Sequence, residues 1–122
     1  CFSGGGSLKM NIQEMATAAQ EDVNVKIVLF NNQSLGLVHQ QQSMFYGKRI
    51  MASRYERPTD FLKIAEGFGM RAVDLDPAPN PRATLAEALT TPGPCLIHAT
   101  IDPNEFVYPM VPPGAANSEM IG

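Results

Sequence analysis

The chain has 122 residues, with 12 acidic and 9 basic side chains and a formal net charge of −3. This length is enough for one domain with a modest core. The basic residues are scattered and do not alternate with aromatic residues, which argues against nucleic acid as a partner, and no apolar stretch is long enough to predict a membrane span.

The two cysteines, Cys1 and Cys95, are too few for a disulfide framework or a zinc site. The sequence therefore predicts a cytoplasmic protein with reduced thiols. No signal peptide is recognisable, because Cys1-Phe2-Ser3 runs directly into glycines. The chain has no initiator Met and opens inside an expected strand, so we expect a piece of a longer polypeptide.

The N-terminal part predicts a strand, a glycine-rich turn, a helix and a second strand. A strand stub at residues 1–3 leads into Gly4-Gly5-Gly6-Ser7, and apolar residues follow at helical spacing over 11–20. The nearly continuous apolar run at 25–30 suits a strand buried on both faces of a parallel sheet. Glycines between a strand and a helix let backbone N–H groups approach phosphate oxygens, although they are also typical of a flexible linker.

Two asparagines, Asn31 and Asn32, end the second predicted strand. Open parallel sheets bind ligands at the carboxyl ends of their strands, and an amide carbonyl is a hard oxygen ligand suited to Mg²⁺. Taken alone, the pair is also typical of a turn after a strand. Its combination with the glycine turn favours a site for a diphosphate and a divalent metal.

The rest of the chain predicts further helices and strands before an irregular tail. The predicted elements are a short helix and an ordered loop over the site at 33–57, a helix at 60–66 with Thr59 as its N-cap, a strand at 71–75, a turn at 76–81, a helix at 83–89 and a strand at 95–101. The tail begins at Pro103 and is rich in proline. This order predicts an α/β fold, a doubly wound parallel sheet with helices on both faces.

Three segments carry a resemblance to a known family. Residues 3–8, 10–18 and 25–36 closely resemble the thiamine-diphosphate motif of acetolactate synthase (acetohydroxyacid synthase) large subunits, in particular the enterobacterial isozyme I type. The tail at 107–114 resembles the carboxyl end of the same family. The similarity covers essentially the whole chain and is more specific than the general diphosphate motif.

The resemblance implies a thiamine-diphosphate-binding fold at residues 1–102 and a tail at 103–122 that closes over the active site. It implies an enzyme that decarboxylates pyruvate and adds the two-carbon unit to pyruvate or 2-ketobutyrate, in branched-chain amino acid biosynthesis. The implied cofactors are thiamine diphosphate and Mg²⁺, with FAD only in the full-length enzyme. A homodimer partner would supply the catalytic Glu, and the intact enzyme would include a small regulatory subunit.

The resemblance also assigns site residues. The cofactor-binding positions are Gly4, Gly5, Gly6, Ser7, Asn32, Ser34, Leu35, Gly36 and Leu37. Asn32 would bind the metal through its side chain and Ser34 through its backbone carbonyl. No residue of this chain is assigned as catalytic, because the family's catalytic Glu comes from the partner subunit. We therefore expect the isolated chain to be inactive.

Three positions stand out against the family pattern. Gly5 stands where the family has a metal-binding Asp, so we expect weakened metal and cofactor binding. Lys9 replaces a usually apolar residue and either offers a cation to the diphosphate or lies in solvent. Gln41 stands where many members have Trp, which predicts little preference for 2-ketobutyrate over pyruvate. The glutamines at 40–42 are also typical of an exposed polar loop.

Two other functions remain open from the sequence. One is a related thiamine-diphosphate enzyme, a pyruvate oxidase or another carboligase, which would share the cofactor turn but match the tail less closely. The other is a non-catalytic, degenerate or interaction fragment, which Gly5 favours. The histidines pair with no nucleophile. We expect His39 on a solvent-facing loop and His98 as a hydrogen-bonded histidine of the core.

Overall fold

The computed structural model describes all residues from 1 to 122. Its elements in chain order are β1 (Phe2–Gly4), α1 (Gly5–Met10), α2 (Glu14–Gln20), β2 (Lys26–Asn31), α3 (Gly36–Phe45), α4 (Phe61–Gly67), β3 (Arg71–Asp74), α5 (Pro81–Thr90), β4 (Cys95–Thr100) and a 3-10 turn (Asn117–Glu119). The four strands form one parallel sheet in the order β1-β2-β4-β3. None of the helices combines the length and the apolar composition that crossing a bilayer requires.

Helices cover both faces of the sheet, which confirms the predicted α/β fold. Successive side chains of a strand point to opposite faces, and the two sets belong to separate clusters. On one face, Leu29 and Leu96 pack with residues of α1, α2 and α4, namely Leu8, Met15, Phe61 and Ala65. On the other face, Cys95 and Ile97 pack with Ala88 of α5. The strand β4 is thus buried on both sides, which explains its nearly uninterrupted apolar sequence.

The N-terminal helices differ from the prediction of a glycine turn followed by one helix at 11–20. The helix α1 already begins at Gly5, and a break at residues 11–13 separates it from α2. Glycine is a poor helix former, but Leu8 of α1 is buried in the core, and this packing favours the helical turn that carries it. Gly4 therefore ends β1, and Gly5 and Gly6 form the first turn of a helix rather than a loop before one.

Polar side chains set the starts of α4 and α5. The predicted N-cap Thr59 is wrong, because the side chain of Asp60 accepts the Lys63 N–H at 3.0 Å and caps α4. The side chain of Asn80 caps α5 in the same way. The helix α5 begins at Pro81, two residues before the predicted start. Proline is well suited to this position, since the first N–H of a helix has no partner within the helix.

Residues 33–57 contain the predicted helix and ordered loop, but the expectation for His39 is wrong. The helix α3 is ten residues long, and it buries His39, which is 4% exposed, and Gln40, which is 1% exposed. The His39 ring packs edge-on against Phe106 of the tail, with 5.9 Å between the ring centroids. The tail therefore covers the side of α3 that local sequence suggests is solvated, and the glutamines at 40–42 are helical rather than a loop.

The tail after β4 is largely irregular, as predicted, and contacts with α3 attach it to the rest of the molecule. Gln40 Nε2 donates to the Val107 carbonyl oxygen at 2.9 Å, and Gln40 Oε1 accepts the Val107 N–H at 3.0 Å. Met110 and Ile121 pair with each other within the tail. One buried amide side chain of α3 thus forms a two-bond attachment for this segment.

Candidate functional site

A cavity of about 450 Å³ opens at the carboxyl ends of β1 and β2. All predicted cofactor-binding positions line it, namely Gly4, Gly5, Gly6, Ser7, Asn32, Ser34, Leu35, Gly36 and Leu37. The first four and the last five are far apart in sequence, and they meet because β1 and β2 are parallel neighbours. The structure thus brings the predicted residues together, and their binding of a cofactor stays a prediction.

Four apolar residues of the cavity were not predicted: Met10, Phe30, Val38 and Ile101. Phe30 stacks on Phe2, with 6.0 Å between the ring centroids. Phe30 comes just before the asparagine pair and Ile101 just after β4, so both lie at the carboxyl edge of the sheet. This position was the available signal, because ligands of parallel sheets bind at that edge.

The asparagine side chains shape the turn that follows β2. Asn31 Oδ1 accepts the Gln33 N–H and Asn32 Oδ1 accepts the Ser34 N–H, each at 3.1 Å. Gln33 has a φ of +53°, in the left-handed region. The loop at residues 53–55 holds the turn from the other side through two backbone hydrogen bonds. The asparagine pair therefore forms the tight turn that the sequence suggests, and the same turn borders the cavity.

Ser34 offers polar atoms that the protein itself does not use. The residue is 3% exposed, and its hydroxyl oxygen has no hydrogen-bond partner. Its carbonyl oxygen accepts no backbone hydrogen bond either. A buried polar atom without a partner is costly, so these atoms mark a place where a polar ligand or a cation would be stabilised.

Glycine at position 36 preserves the position of the Asn32 amide. An ideal Cβ on Gly36 would lie 2.8 Å from Asn32 Nδ2. This distance is shorter than van der Waals contact, so any larger residue would displace the amide. Gly36 is thus needed for the close packing of α3 against the turn that precedes it.

Gly5 leaves space beside the first asparagine of the pair. An ideal Cβ on Gly5 would lie 3.4 Å from Phe61 Cζ and 3.6 Å from Asn31 Oδ1, which are ordinary packing distances. A Cβ therefore fits at this position, next to the turn after β2. The chain carries no carboxylate here.

Lys9 does not line the cavity. Its ammonium nitrogen lies 3.6 Å from the centre of the Tyr55 ring, at the distance of a cation–π interaction. A fully solvated Lys9 is therefore wrong. The lysine joins α1 to the loop at residues 53–55 that holds the turn after β2, so its cation supports the surroundings of the cavity.

A second cavity of about 390 Å³ adjoins the first. Asn32 and Ile101 line both cavities, and Arg54, Glu56 and Pro103 contribute further walls to the second. The amide of Asn32 thus lies between an apolar cleft and a charged one. This arrangement gives the amide access to ligands from two directions.

The residues that line the first cavity carry no titratable side chain. The groups with a shifted pKa lie outside this cavity, at α4 and around β3 and β4. The hydroxyl and the backbone N–H of Thr100 donate to Asp76 and lower the pKa of its carboxyl. Burial raises the pKa of the Cys95 thiol, which keeps this thiol protonated and unreactive. The first cavity can therefore bind and orient a ligand, but its own side chains cannot exchange protons with it.

His98 is hydrogen-bonded as predicted, but it lies at the edge of the core and not within it. Its side chain is 12% exposed. Nδ1 lies 3.0 Å from Asp74 Oδ1, and Nε2 lies 3.0 Å from Asn31 Nδ2. The imidazole thus connects β3 to the end of β2, close to the first cavity.

Comparison with known proteins agrees with this geometry. Residues 1–99 match the family "Thiamine pyrophosphate enzyme, C-terminal TPP binding domain". The chain is similar to the acetolactate synthase isozyme 1 large subunit of Escherichia coli (strain K12), with 57% identity over the whole chain and 22% of the relative. Identity is 44% with the acetolactate synthase large subunit of Pyropia yezoensis, over the whole chain and 21% of the relative.

A second Escherichia coli (strain K12) protein, the acetolactate synthase isozyme 2 large subunit, is 41% identical over 99% of the chain and 22% of the relative. The predicted resemblance to acetolactate synthase large subunits is confirmed. The chain spans about a fifth of the length of the curated relatives it matches. By the match of residues 1–99, the chain belongs to the thiamine pyrophosphate enzymes, as their C-terminal TPP binding domain.

Proposed function

We propose that this chain is the cofactor-binding part of an acetolactate synthase large subunit. The whole protein would decarboxylate pyruvate and condense the two-carbon unit with pyruvate or 2-ketobutyrate, in branched-chain amino acid biosynthesis. The similarity to large subunits extends over the tail, beyond the domain match that ends at residue 99. The observation that carries the proposal is the cavity shared by the start of α1 and the turn after β2.

The lining of this cavity is suited to a diphosphate with a divalent cation. The unpartnered hydroxyl of Ser34 is available to a ligand, and Asn32 Oδ1 keeps one lone pair beyond the one that the Ser34 N–H uses. In this proposal, Gly4, Gly5, Gly6 and Ser7 hold the diphosphate, Asn32 and the Ser34 carbonyl hold Mg²⁺, and Leu35, Gly36 and Leu37 line the cofactor cleft.

Thiamine diphosphate, when bound, supplies the electron sink for decarboxylation and carbon–carbon bond formation. The residues of this chain bind and orient it. Met10, Phe30 and Val38 give the cleft apolar walls that reduce the access of water. The lining has no titratable side chain, so proton transfer needs groups from outside it. The resemblance to acetolactate synthase large subunits implies that this group is a Glu of a homodimer partner, which we include in the proposal.

The remaining parts of the intact enzyme belong to the same proposal. FAD and a small regulatory subunit would join the full-length protein, and residues 103–122 would close over the active site. Gln41, which is exposed on α3, would give little preference for 2-ketobutyrate over pyruvate. An acceptor competition assay on the intact enzyme with a strong 2-ketobutyrate preference would contradict this last part.

Gly5 is expected to weaken the hold on the metal. Loss of an indirect hydrogen bond to a metal ligand typically lowers metal affinity or activity by about 10–100-fold. A missing carboxylate ligand removes a negative charge as well, so the expected loss is at least as large. An ideal Cβ at position 5 meets no atom closer than 3.4 Å, so the Cβ of an introduced Asp would not clash.

Calorimetric titration of thiamine diphosphate into the intact polypeptide that carries this chain, with and without Mg²⁺, tests the proposal. We expect Mg²⁺-dependent binding that Gly5→Asp strengthens by at least about 10-fold. Gly67→Asp is the matched control, because Gly67 also has open space at its Cβ position but lies at the end of α4. We expect this control to leave the affinity unchanged.

The outcomes separate the candidate functions. Absence of binding in both the natural protein and Gly5→Asp would contradict a cofactor site. Binding to Gly5→Asp without formation of acetolactate would support the non-catalytic alternative, which the lack of a carboxylate at position 5 favours. Binding with formation of acetolactate would support the proposed enzyme over a related oxidase.

A further inference from the structure

His98, Asp74 and Asn31 form a hydrogen-bonded row across three neighbouring strands. Asp74 is in register with His98 between β3 and β4, and Asn31 ends β2. His98 lies two residues after Leu96, and Asn31 lies two residues after Leu29, so the row continues the sheet face that packs on α4. The row therefore begins at the edge of the core and ends at the turn beside the cavity.

The backbone fixes the hydrogen-bond directions in this row. The Gln33 N–H donates to Asn31 Oδ1, so the Asn31 amide must turn its NH₂ group toward His98. His98 Nε2 is then the acceptor and Nδ1 carries the proton. Asp74 Oδ1 accepts that proton's hydrogen bond and also the Asp76 N–H, at 3.2 Å. Each donor of the row thus has an acceptor.

The far end of the row determines the shape of the turn after β2. Asn31 is 6% exposed, so water is a poor substitute for a lost partner of its amide. Its bond to the Gln33 N–H stabilises the left-handed conformation of Gln33. That conformation directs the chain so that Asn32 and Ser34 both line the cavity.

We infer that His98, oriented by Asp74, is a positioning residue of the cofactor site, because it holds the Asn31 amide and thereby the turn that presents Asn32 and Ser34. This inference deepens the proposed function and rests on it. His98 does not line the first cavity itself and acts through Asn31. Direct hydrogen-bond partners of metal ligands typically contribute about 10–100-fold to metal affinity. His98 acts one residue further away, so its loss is expected to weaken metal binding by up to about 10-fold.

The row is not a metal site of its own. The side chains of Asp74, Asp76 and His98 have potential ligand atoms within 4.8 Å of one another. These atoms are already used inside the protein, because Thr100 donates to both Asp76 oxygens and His98 donates to Asp74. The cluster therefore acts as a hydrogen-bonded support.

Two readouts on the intact polypeptide test the inference. The first, without cofactor, is amide hydrogen exchange at Gln33, which we expect to be several-fold faster in His98→Leu. The second is Mn²⁺ binding by electron paramagnetic resonance with thiamine diphosphate present, which we expect to weaken several-fold, up to about 10-fold. His98→Gln should restore both, since its side-chain carbonyl can accept from the Asn31 amide. Asp74→Asn should give an intermediate loss.

Ile97→Ala is the control, because Ile97 is the neighbouring residue of β4 but packs on the opposite face of the sheet. It should lower stability without a local change at Gln33. Unchanged exchange and Mn²⁺ affinity in His98→Leu would overturn the inference, as would an equal loss in Ile97→Ala. If His98→Leu does not fold, the other two variants decide the question. An intermediate loss in Asp74→Asn with natural values in His98→Gln supports the inference, and natural values in Asp74→Asn overturn it.

The two proposals can fail separately. Unaltered exchange at Gln33 and unaltered Mn²⁺ affinity in all His98 and Asp74 variants of a protein that binds the cofactor overturn the inference alone. A protein that binds no Mn²⁺, even with Gly5→Asp, contradicts the proposed function. In that case faster exchange at Gln33 in His98→Leu still supports the role of His98 in holding the turn.

Discussion

The turn after β2 borders the first cavity, whereas the tail after β4 reaches only the adjoining second cavity, through Pro103, and the two segments are held in different ways. The turn has hydrogen bonds from its own asparagines, from the loop at 53–55 and from His98. The tail depends mainly on the two bonds of Gln40 to Val107 and on the contact of Phe106 with His39. The comparison teaches that the sheet and its neighbouring loop hold the turn, whereas one amide side chain of α3 holds the tail.

The largest expected effect on stability comes from the core of the sheet that supports the turn. Leu96 is fully buried in β4, so Leu96→Ala should lower the free energy of unfolding by about 2–5 kcal/mol through lost burial and a cavity. Urea unfolding followed by circular dichroism measures this change. Leu89→Ala is the control, since Leu89 is 48% exposed on α5, and its effect should be clearly smaller.

An equal effect of Leu96→Ala and Leu89→Ala would contradict the assignment of Leu96 to the core that supports the site. Protection of the tail from protease is a second measurement on Leu96→Ala. While Leu96→Ala remains folded, the tail should keep its native protection from protease, because its bonds come from α3 rather than from the sheet.

The next effect concerns the tail. Gln40→Leu removes two hydrogen bonds, each with a typical net contribution of about 0.5–1.5 kcal/mol, and releases the Val107 backbone to water. We expect faster proteolytic cleavage within residues 103–122 with little change in the unfolding of the sheet. Gln41→Leu is the matched control, because Gln41 is the exposed neighbour on the same helix. Equal cleavage rates in the two variants would contradict the attachment role of Gln40.

The smallest effect is the acid sensitivity of the sheet edge beside the turn. Thr100 lowers the pKa of Asp76 below its ordinary value of 3.8. The contribution to stability is therefore complete above pH 3.8 and is lost as the pH falls toward the lower folded pKa. Asp76 is 41% exposed, so solvent screening limits the effect to a few tenths of a kcal/mol, as for exposed ion pairs.

Urea midpoints measured across this acidic range, for the natural chain and for Thr100→Val, test the point. The variant loses the hydroxyl donor, so its stability should depend less on pH below 3.8. The same acid dependence in both proteins would show that Thr100 does not set the titration of Asp76.

Much of the fold could be predicted because consecutive apolar residues mark its central strands in the sequence. The apolar runs of β2 and β4 predicted parallel strands, and both lie at the centre of the sheet. Burial on both faces holds for the first half of β4, but β2 is mostly half-buried and its Phe30 is exposed. The two halves of the site could also be predicted, because glycines after one strand and asparagines after another are chemically distinctive. Parallel pairing of β1 with β2 was enough to bring them to one cavity.

The remainder depends on partners that are distant in sequence. His39 and Gln40 look solvated in local sequence, but they are buried because tail residues 67 positions away pack on them. The start of α1 at Gly5 opposes glycine's own preference and follows from the docking of Leu8 in the core. The role of His98 required knowledge of which side chains face it across the strands.

The strand order β1-β2-β4-β3 also governs how the chain assembles. The last strand in sequence, β4, is the neighbour of both β2 and β3, and Asn31 meets His98 across 67 positions. During synthesis, β2 can pair with β4 only after β4 has been made. Such non-local pairing is slow, and the apolar residues of β2 are exposed to aggregation until it forms. Nascent chains that stop before residue 95 would therefore need protection by chaperones, and the turn beside the cavity would reach its final shape only late in folding.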